Sequence, residues 1–258
     1  MPIVTLSRKL LSCWKPAPLV ELASFRWKKN FFWAIIWTRR NKRVNEDVHG
    51  GNIRQWARKM GLDCEELVDF SASINPLGLP PGLEETIRRE LPSLVHYPDP
   101  QCRLLRERLA QFHGLFPQNI LVGNGSTEFI HLLPRVLGTP IGLIPIPCFS
   151  EYERALLLSG GRPICRRFDE NGFRLQPAFL EPDLSQSELL FLGHPNNPTG
   201  TLTPRKDIMD LLDICAKNDV WVVVDEAFVD FLEKPEDSTL LPEVAHRRNL
   251  LVLRSFTK

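Results

Sequence analysis

Leu189-Leu190-Phe191-Leu192-Gly193-His194-Pro195-Asn196-Asn197-Pro198-Thr199-Gly200, together with Trp221-Val222-Val223-Val224-Asp225-Glu226-Ala227-Phe228, sets the architecture of the chain. Each half is an apolar run too short for a buried helix, bounded by turn residues and ending in a knot of polar groups. Runs of this length, rich in β-branched and aromatic residues, read as buried strands. Outward from this stretch the pattern recurs at Ile120–Val122, Ile141–Ile146, Pro163–Phe168 and Leu250–Leu253, with helical patterns between. Strands alternating with helices predict an α/β fold: a three-layer, mostly parallel sheet covered by helices on both faces. No internal repeat or low-complexity segment interrupts it.

Upstream of the first predicted strand the chain reads differently. Asn52 is expected to cap a helix whose apolar positions Ile53, Trp56, Ala57 and Met60 share one face, with Gly61 ending it. Residues 75–82 are proline-rich and read as an extended arm, and Leu104, Leu105, Leu109 and Phe112 mark a further helix. The organisation expected is a basic aromatic extension over 1–44 outside the fold, an arm and part of a small domain over 45–95, and a large domain over 96–258. Residues 1–44 hold ten Lys/Arg against the single acid Glu21, and four of the six tryptophans, while the remainder carries 22 basic against 30 acidic residues. Such an extension suits a targeting peptide, a membrane-surface segment or non-native upstream translation. Its apolar stretch Phe31–Trp37 is far short of the ~20 residues a spanning helix needs; with the extension set outside the fold, no membrane partner is expected of the rest.

The six cysteines form no CxxC pair and the six histidines no helical metal-ligand pair. The cysteines are expected to be buried small hydrophobes in a reducing, cytoplasmic compartment. A metal centre is not expected. Nor is nucleic-acid binding, because the basic extension comes with no base-reading module.

Open α/β sheets bind ligands at the carboxyl ends of their strands, so the residues just beyond each strand are the informative ones. After Val122 comes Gly123-Asn124-Gly125-Ser126-Thr127-Glu128, a glycine turn into a helix that suits a phosphate. After Ile146 comes Phe149, an aromatic face, and after Leu192 comes the amide Asn197. Val224 is followed by Asp225, a desolvated carboxylate in need of a cationic or hydrogen-bonding partner, and Leu253 by Ser255, Thr257 and Lys258. A lysine there suits an amine that forms a Schiff base. Each cluster alone is equally a turn, a cap or a core residue. Together they fit a flat, phosphorylated, cationic heteroaromatic aldehyde, which is pyridoxal 5'-phosphate. Lys258 being the last residue leads to the expectation that the sequence is a piece of a longer protein.

The ordered motifs Gly-Asn-Gly-Ser-Thr-Glu, Asn-Asn-Pro-Thr-Gly, Asp-Glu-Ala-Phe and Ser-Phe-Thr-Lys resemble the fold-type-I pyridoxal-phosphate enzymes of the aminotransferase class I/II family, over roughly residues 48–258. The resemblance implies that Lys258 carries the cofactor and moves the proton at the substrate carbon, and that Asp225 pairs with the ring nitrogen. It implies that Asn197 bonds the ring 3'-oxygen, that Phe149 stacks on the ring, and that Gly125, Ser126, Thr127, Ser255 and Thr257 bind the phosphate. Tyr97 matches a tyrosine that reaches the phosphate of a partner subunit, which implies a homodimer with shared active sites. Phe228 departs from the tyrosine commonest at that position and donates no bond. Ser73 stands where the decarboxylase pattern usually has asparagine, which puts substrate-phosphate recognition near the arm in question.

Two branches of the family compete: threonine-phosphate decarboxylases of cobalamin biosynthesis and histidinol-phosphate aminotransferases. His49-Gly50-Gly51-Asn52, Asp69–Gly78 and Phe149–Leu156 resemble the decarboxylases more closely. That implies a phosphorylated amino-acid substrate, L-threonine O-3-phosphate, with His49 and Asn75 near it. The bond at the substrate α-carbon held perpendicular to the ring is the one that breaks. Family arginines that set this choice belong beyond Lys258, so the chain as given is also compatible with an inactive fragment.

Overall fold

The computed structural model describes residues 33–34, 50–73, 75, 77–138, 140–168 and 173–256. Contacts group the chain into two units, 1–74 and 75–258. In the first, strand β1 (Trp33–Ala34) pairs in parallel with β2 (Leu67–Val68), and helix α1 spans Ile53–Met60. Gly61 ends α1 as expected: its φ of 66° lets its N–H turn back to the Ala57 carbonyl. Asn52 does not cap through its side chain; its carbonyl alone accepts Gln55 N and Trp56 N.

The second unit is built on five parallel strands. In chain order it contains α2 (Leu83–Glu90), α3 (Arg103–His113), α4 (Ser126–Val136), β3 (Ile141–Ile146), α5 (Ser150–Leu158), β4 (Arg162–Arg167), α6 (Pro177–Leu184), β5 (Leu189–Gly193), α7 (Arg205–Lys217), β6 (Trp221–Asp225) and β7 (Leu250–Leu253). The strand order is β4-β3-β5-β6-β7, and the ladder puts Gly193 opposite Asp225 and Asp225 opposite Leu253.

Two hydrophobic layers arise from the two-residue period of a strand. Leu143, Leu190, Leu192, Val222, Val224 and Leu250 face one side, packing on Leu180 and Leu184 of α6 and Ile208, Leu211, Leu212 and Cys215 of α7. Ile144, Leu189, Phe191, Val223 and Leu253 face the other, against Ile130 of α4 and Tyr152, Ala155 and Leu156 of α5. Both faces of the sheet are thus covered, and the three-layer α/β fold predicted from sequence is present. At Gly142 the sheet and α5 come so close that a Cβ would lie 2.4 Å from the Leu156 side chain.

Three expectations need correction. Ile120–Val122 is not a strand: it has no ladder partner among the described residues, and Leu121 is 75% exposed. An apolar run forms a strand only where neighbouring backbone and a covering layer receive it. The α3 helix is present, yet Leu104 and Phe112 stand exposed, with Ala110 the residue it buries. Of the five described cysteines only Cys215 is fully buried, and Cys64, in a surface 3-10 turn, is exposed.

Candidate active site

The carboxyl ends of β3, β5, β6 and β7 lie side by side because the strands are parallel and in register. Connections between those ends are specific. Asn196 Nδ2 donates to the Pro147 carbonyl at 3.0 Å and to Thr199 Oγ1 at 2.8 Å, and its backbone exchanges bonds with Thr201 and Gly200. The turn after β5 is therefore stapled to the end of β3. Asn196, which holds the turn, is buried, and Asn197 beside it is half-buried.

Asp225 closes β6 and is 8% exposed. Its Oδ2 accepts the Tyr152 hydroxyl at 2.8 Å and its Oδ1 the Ala227 N–H at 3.1 Å. Phe149, the residue before α5, sets its ring edge-on to Tyr152, with centroids 5.7 Å apart. Ser255 lies just past β7 at the same edge. Phe149, Asn197, Asp225 and Ser255 are thus gathered on one rim.

Gly125, Ser126 and Thr127 open α4, which runs back from this rim, since it leads into the start of β3 and packs on the same face as α5. Gly125 takes φ 85°, a conformation glycine reaches without strain, and has no side chain to cap the leading N–H groups. Gly123 is required by space: a Cβ there would lie 2.6 Å from Glu128 Oε2 and 2.9 Å from the Phe129 ring. Glu128 bends back to accept Asn124 N at 2.5 Å, taking one donor of the loop for itself.

Tyr97 is fully exposed. Asn75 folds onto its own turn, its Oδ1 accepting Leu77 N at 2.9 Å. His49, Thr257 and Lys258 lie outside the described residues.

A second polar network was not anticipated. Glu226, next to Asp225, is fully buried, and its carboxylate accepts Leu240 N at 2.6 Å, Thr239 Oγ1 at 2.7 Å and Arg254 Nη1 at 3.2 Å. Its backbone N–H donates to the Leu253 carbonyl, and Arg254 reaches on to Asp230 at 2.6 Å. Burial pushes the Glu226 carboxyl above its ordinary range, while these donors and the Arg254 charge oppose the rise. This network locks the exit of β7 to the end of β6. His194, also buried, offers Nε2 to the Ser238 carbonyl at 3.2 Å, and burial holds its pKa below the ordinary value.

Two clefts on the described surface lie away from these residues, one lined by Gly51, Arg54 and Arg58 and another by Asp219, Glu243 and Arg247. A buried carboxylate, a half-buried amide, an aromatic side chain and an uncapped eleven-residue helix start fit a phosphorylated heteroaromatic cation.

Known proteins resemble this chain over most of its length. The threonine-phosphate decarboxylase of Salmonella typhimurium is 38% identical over 214 residues, covering 82% of this chain and 58% of that protein. The histidinol-phosphate aminotransferase of Methanothermobacter thermautotrophicus is 35% identical over 215 residues, covering 82% and 56%. The solved L-threonine-O-3-phosphate decarboxylase of Porphyromonas gingivalis superposes with a TM-score of 0.60 at 29% identity, covering 69% of this chain and 54% of that one. The chain spans little more than half the length of these relatives. The sequence profile of aminotransferase class I and II matches residues 65–258, and with it the chain belongs to that family of pyridoxal-phosphate enzymes.

Proposed function

We propose that the whole protein removes carbon dioxide from L-threonine O-3-phosphate to leave aminopropanol phosphate, a step of cobalamin biosynthesis. The observation that carries this reading is the likeness to the Salmonella decarboxylase. A contact in the first unit supports it. The Gly50-Gly51 and Asp69-Phe70-Ser71 stretches, both decarboxylase-like, are knitted together: Gly51 N donates to Ser71 Oγ at 2.9 Å, and Ser71 Oγ donates to Asp69 Oδ1. A Cβ on Gly50 would lie 1.7 Å from the Ser71 carbonyl oxygen, so the contact needs glycine.

Pyridoxal phosphate, when bound, supplies a positive ring into which the electrons of a broken α-carbon bond can flow. The residues of this chain would do the rest. Asp225 would keep the ring nitrogen protonated, because a buried carboxylate beside it favours the cation. Asn197 would bond the 3'-oxygen, and Phe149 would cover a ring face. Gly125, Ser126, Thr127, Ser255 and Thr257 would hold the phosphate at the positive end of α4. Lys258 would carry the aldehyde carbon and shuttle the proton at the substrate α-carbon. His49 and Asn75 would lie near the substrate, and Tyr97 would serve the site of a second copy in a homodimer. The compartment proposed is the cytoplasm; among the described residues no helix is long and apolar enough to cross a membrane.

A second reading, histidinol-phosphate aminotransferase, is favoured by the Methanothermobacter relative at 35% identity. The chain, pyridoxal phosphate and carboxyl-labelled threonine O-phosphate, incubated without an oxo acid, test the two. Labelled carbon dioxide supports decarboxylation. Amino transfer from histidinol phosphate to an oxo acid, with no carbon dioxide released, overturns it. Absence of both is the outcome of the third reading, in which these 258 residues do not turn over by themselves.

A further inference from the structure

Tyr152 occupies the first turn of α5, three residues beyond Phe149, and is wholly buried. Its ring lies flat on Phe191, centroids 5.0 Å apart and planes 2° from parallel, while Phe149 meets it edge-on at 85°. Two aromatic neighbours at right angles fix the ring plane, and so the direction of the hydroxyl. That hydroxyl donates to Asp225 Oδ2 at 2.8 Å, across from α5 to β6. Burial first, then the Asp225 charge and the bond itself, push the phenol far above its ordinary pKa, so its proton stays in place as a donor. A buried tyrosine in a core needs only some acceptor, and a backbone carbonyl would serve. This one spends its bond on the carboxylate assigned to the ring nitrogen.

We propose that Tyr152 is a positioning residue for Asp225, fixing the direction of its carboxylate and stabilising the ionised form that meets a protonated ring nitrogen. The inference rests on the pyridoxal-phosphate reading of the rim. With Ala227 N on Oδ1 and Tyr152 on Oδ2, the carboxylate is held by donors from two different elements, which fixes its plane. Removing the phenol takes one donor from a carboxylate that is buried. Loss of a donor in a buried setting favours the neutral carboxyl, which is a poor partner for a cationic nitrogen. Orientation of a contact group by the residue behind it governs ligand strength in the same way at metal sites.

The test uses the full chain and two ligands: pyridoxal 5'-phosphate and its 1-deaza analogue, in which the ring nitrogen is replaced by C–H. Dissociation constants come from equilibrium dialysis. Tyr152→Phe keeps the ring stack and loses the donor. It should weaken pyridoxal phosphate about tenfold, the scale of one hydrogen bond to a charged group, and leave the analogue unchanged. In an Asp225→Ala background the same substitution should change neither constant. Equal weakening of both ligands, no weakening of either, or a full effect in the Asp225→Ala background overturns the proposal. If the parent chain binds no pyridoxal phosphate, the cofactor reading itself falls and this inference falls with it.

Discussion

Replacing Arg254 by methionine keeps much of its aliphatic stem and removes the only cation whose bond to Glu226 the described structure gives. At 3.2 Å the attraction between the two charges is about 5 kcal/mol for an effective dielectric near 20, most of it offset by desolvation. The variant leaves a carboxylate with no exposure, held by Leu240 N and Thr239 Oγ1 alone. Breaking a buried pair from one side costs about 3–5 kcal/mol. Proton uptake limits the loss. An unfolded Glu226 titrates at its ordinary 4.5, so holding it neutral in the fold costs about 3.4 kcal/mol at pH 7 but only about 0.7 kcal/mol at pH 5. Because the folded pKa moves further up, the variant keeps its stability below 4.5 and loses it as pH rises through the raised value. The exposed Arg254–Asp230 bond adds at most about 1 kcal/mol. We therefore expect a deficit of about 2–3 kcal/mol at pH 7, shrinking below about 1 kcal/mol at pH 5. Urea unfolding followed by tryptophan fluorescence and circular dichroism reads it. Adding Glu226→Gln should recover much of the loss at pH 7, because a neutral amide needs no cation. A deficit under about 0.5 kcal/mol, or one equal at both pH values, would show that Arg254 does not hold the Glu226 charge.

Asn196→Ala should cost about 1–3 kcal/mol in the same unfolding assay and weaken pyridoxal phosphate binding, because the Pro147 carbonyl loses its donor and the turn presenting Asn197 loosens. Gly50→Ala should expose residues 50–73 to limited proteolysis while leaving cleavage within the β3–β7 sheet unchanged, since the clash at the Ser71 carbonyl is confined to the first unit. Burial lowers the His194 pKa below 6.5, so the unfolded chain takes up a proton that the fold refuses. Stability should fall as pH drops below 6.5, and His194→Gln should flatten that slope relative to the parent in urea titrations at several pH values.

The parallel sheet was legible because each strand carries its own signal: Leu189–Leu192 and Trp221–Val224 are apolar on both sides, as only a strand covered on both faces can be. Strand boundaries agree to within a residue for the same reason. Ile120–Val122 has the same apolar character and fails as a strand, because pairing depends on backbone from elsewhere in the fold and no local pattern records it. Asp225, Asn197 and Phe149 were readable from their places at strand ends. Tyr152, Asn196, Glu226 and Arg254 were not, since their roles arise from partners 13 to 73 residues away, which sequence spacing does not encode. Helix α3 shows the same limit: its period gave the helix, while the exposure of Leu104 and Phe112 is not written in the helix itself.

We propose that Lys258 is the covalent anchor of the pyridoxal-phosphate site. Incubation with pyridoxal phosphate, reduction with borohydride and peptide mass mapping read that anchor out residue by residue. We predict a pyridoxyl group on Lys258, reduced in yield by Asp225→Ala. Label spread evenly over Lys59, Lys206, Lys217 and Lys234, or no label at Lys258, would contradict it.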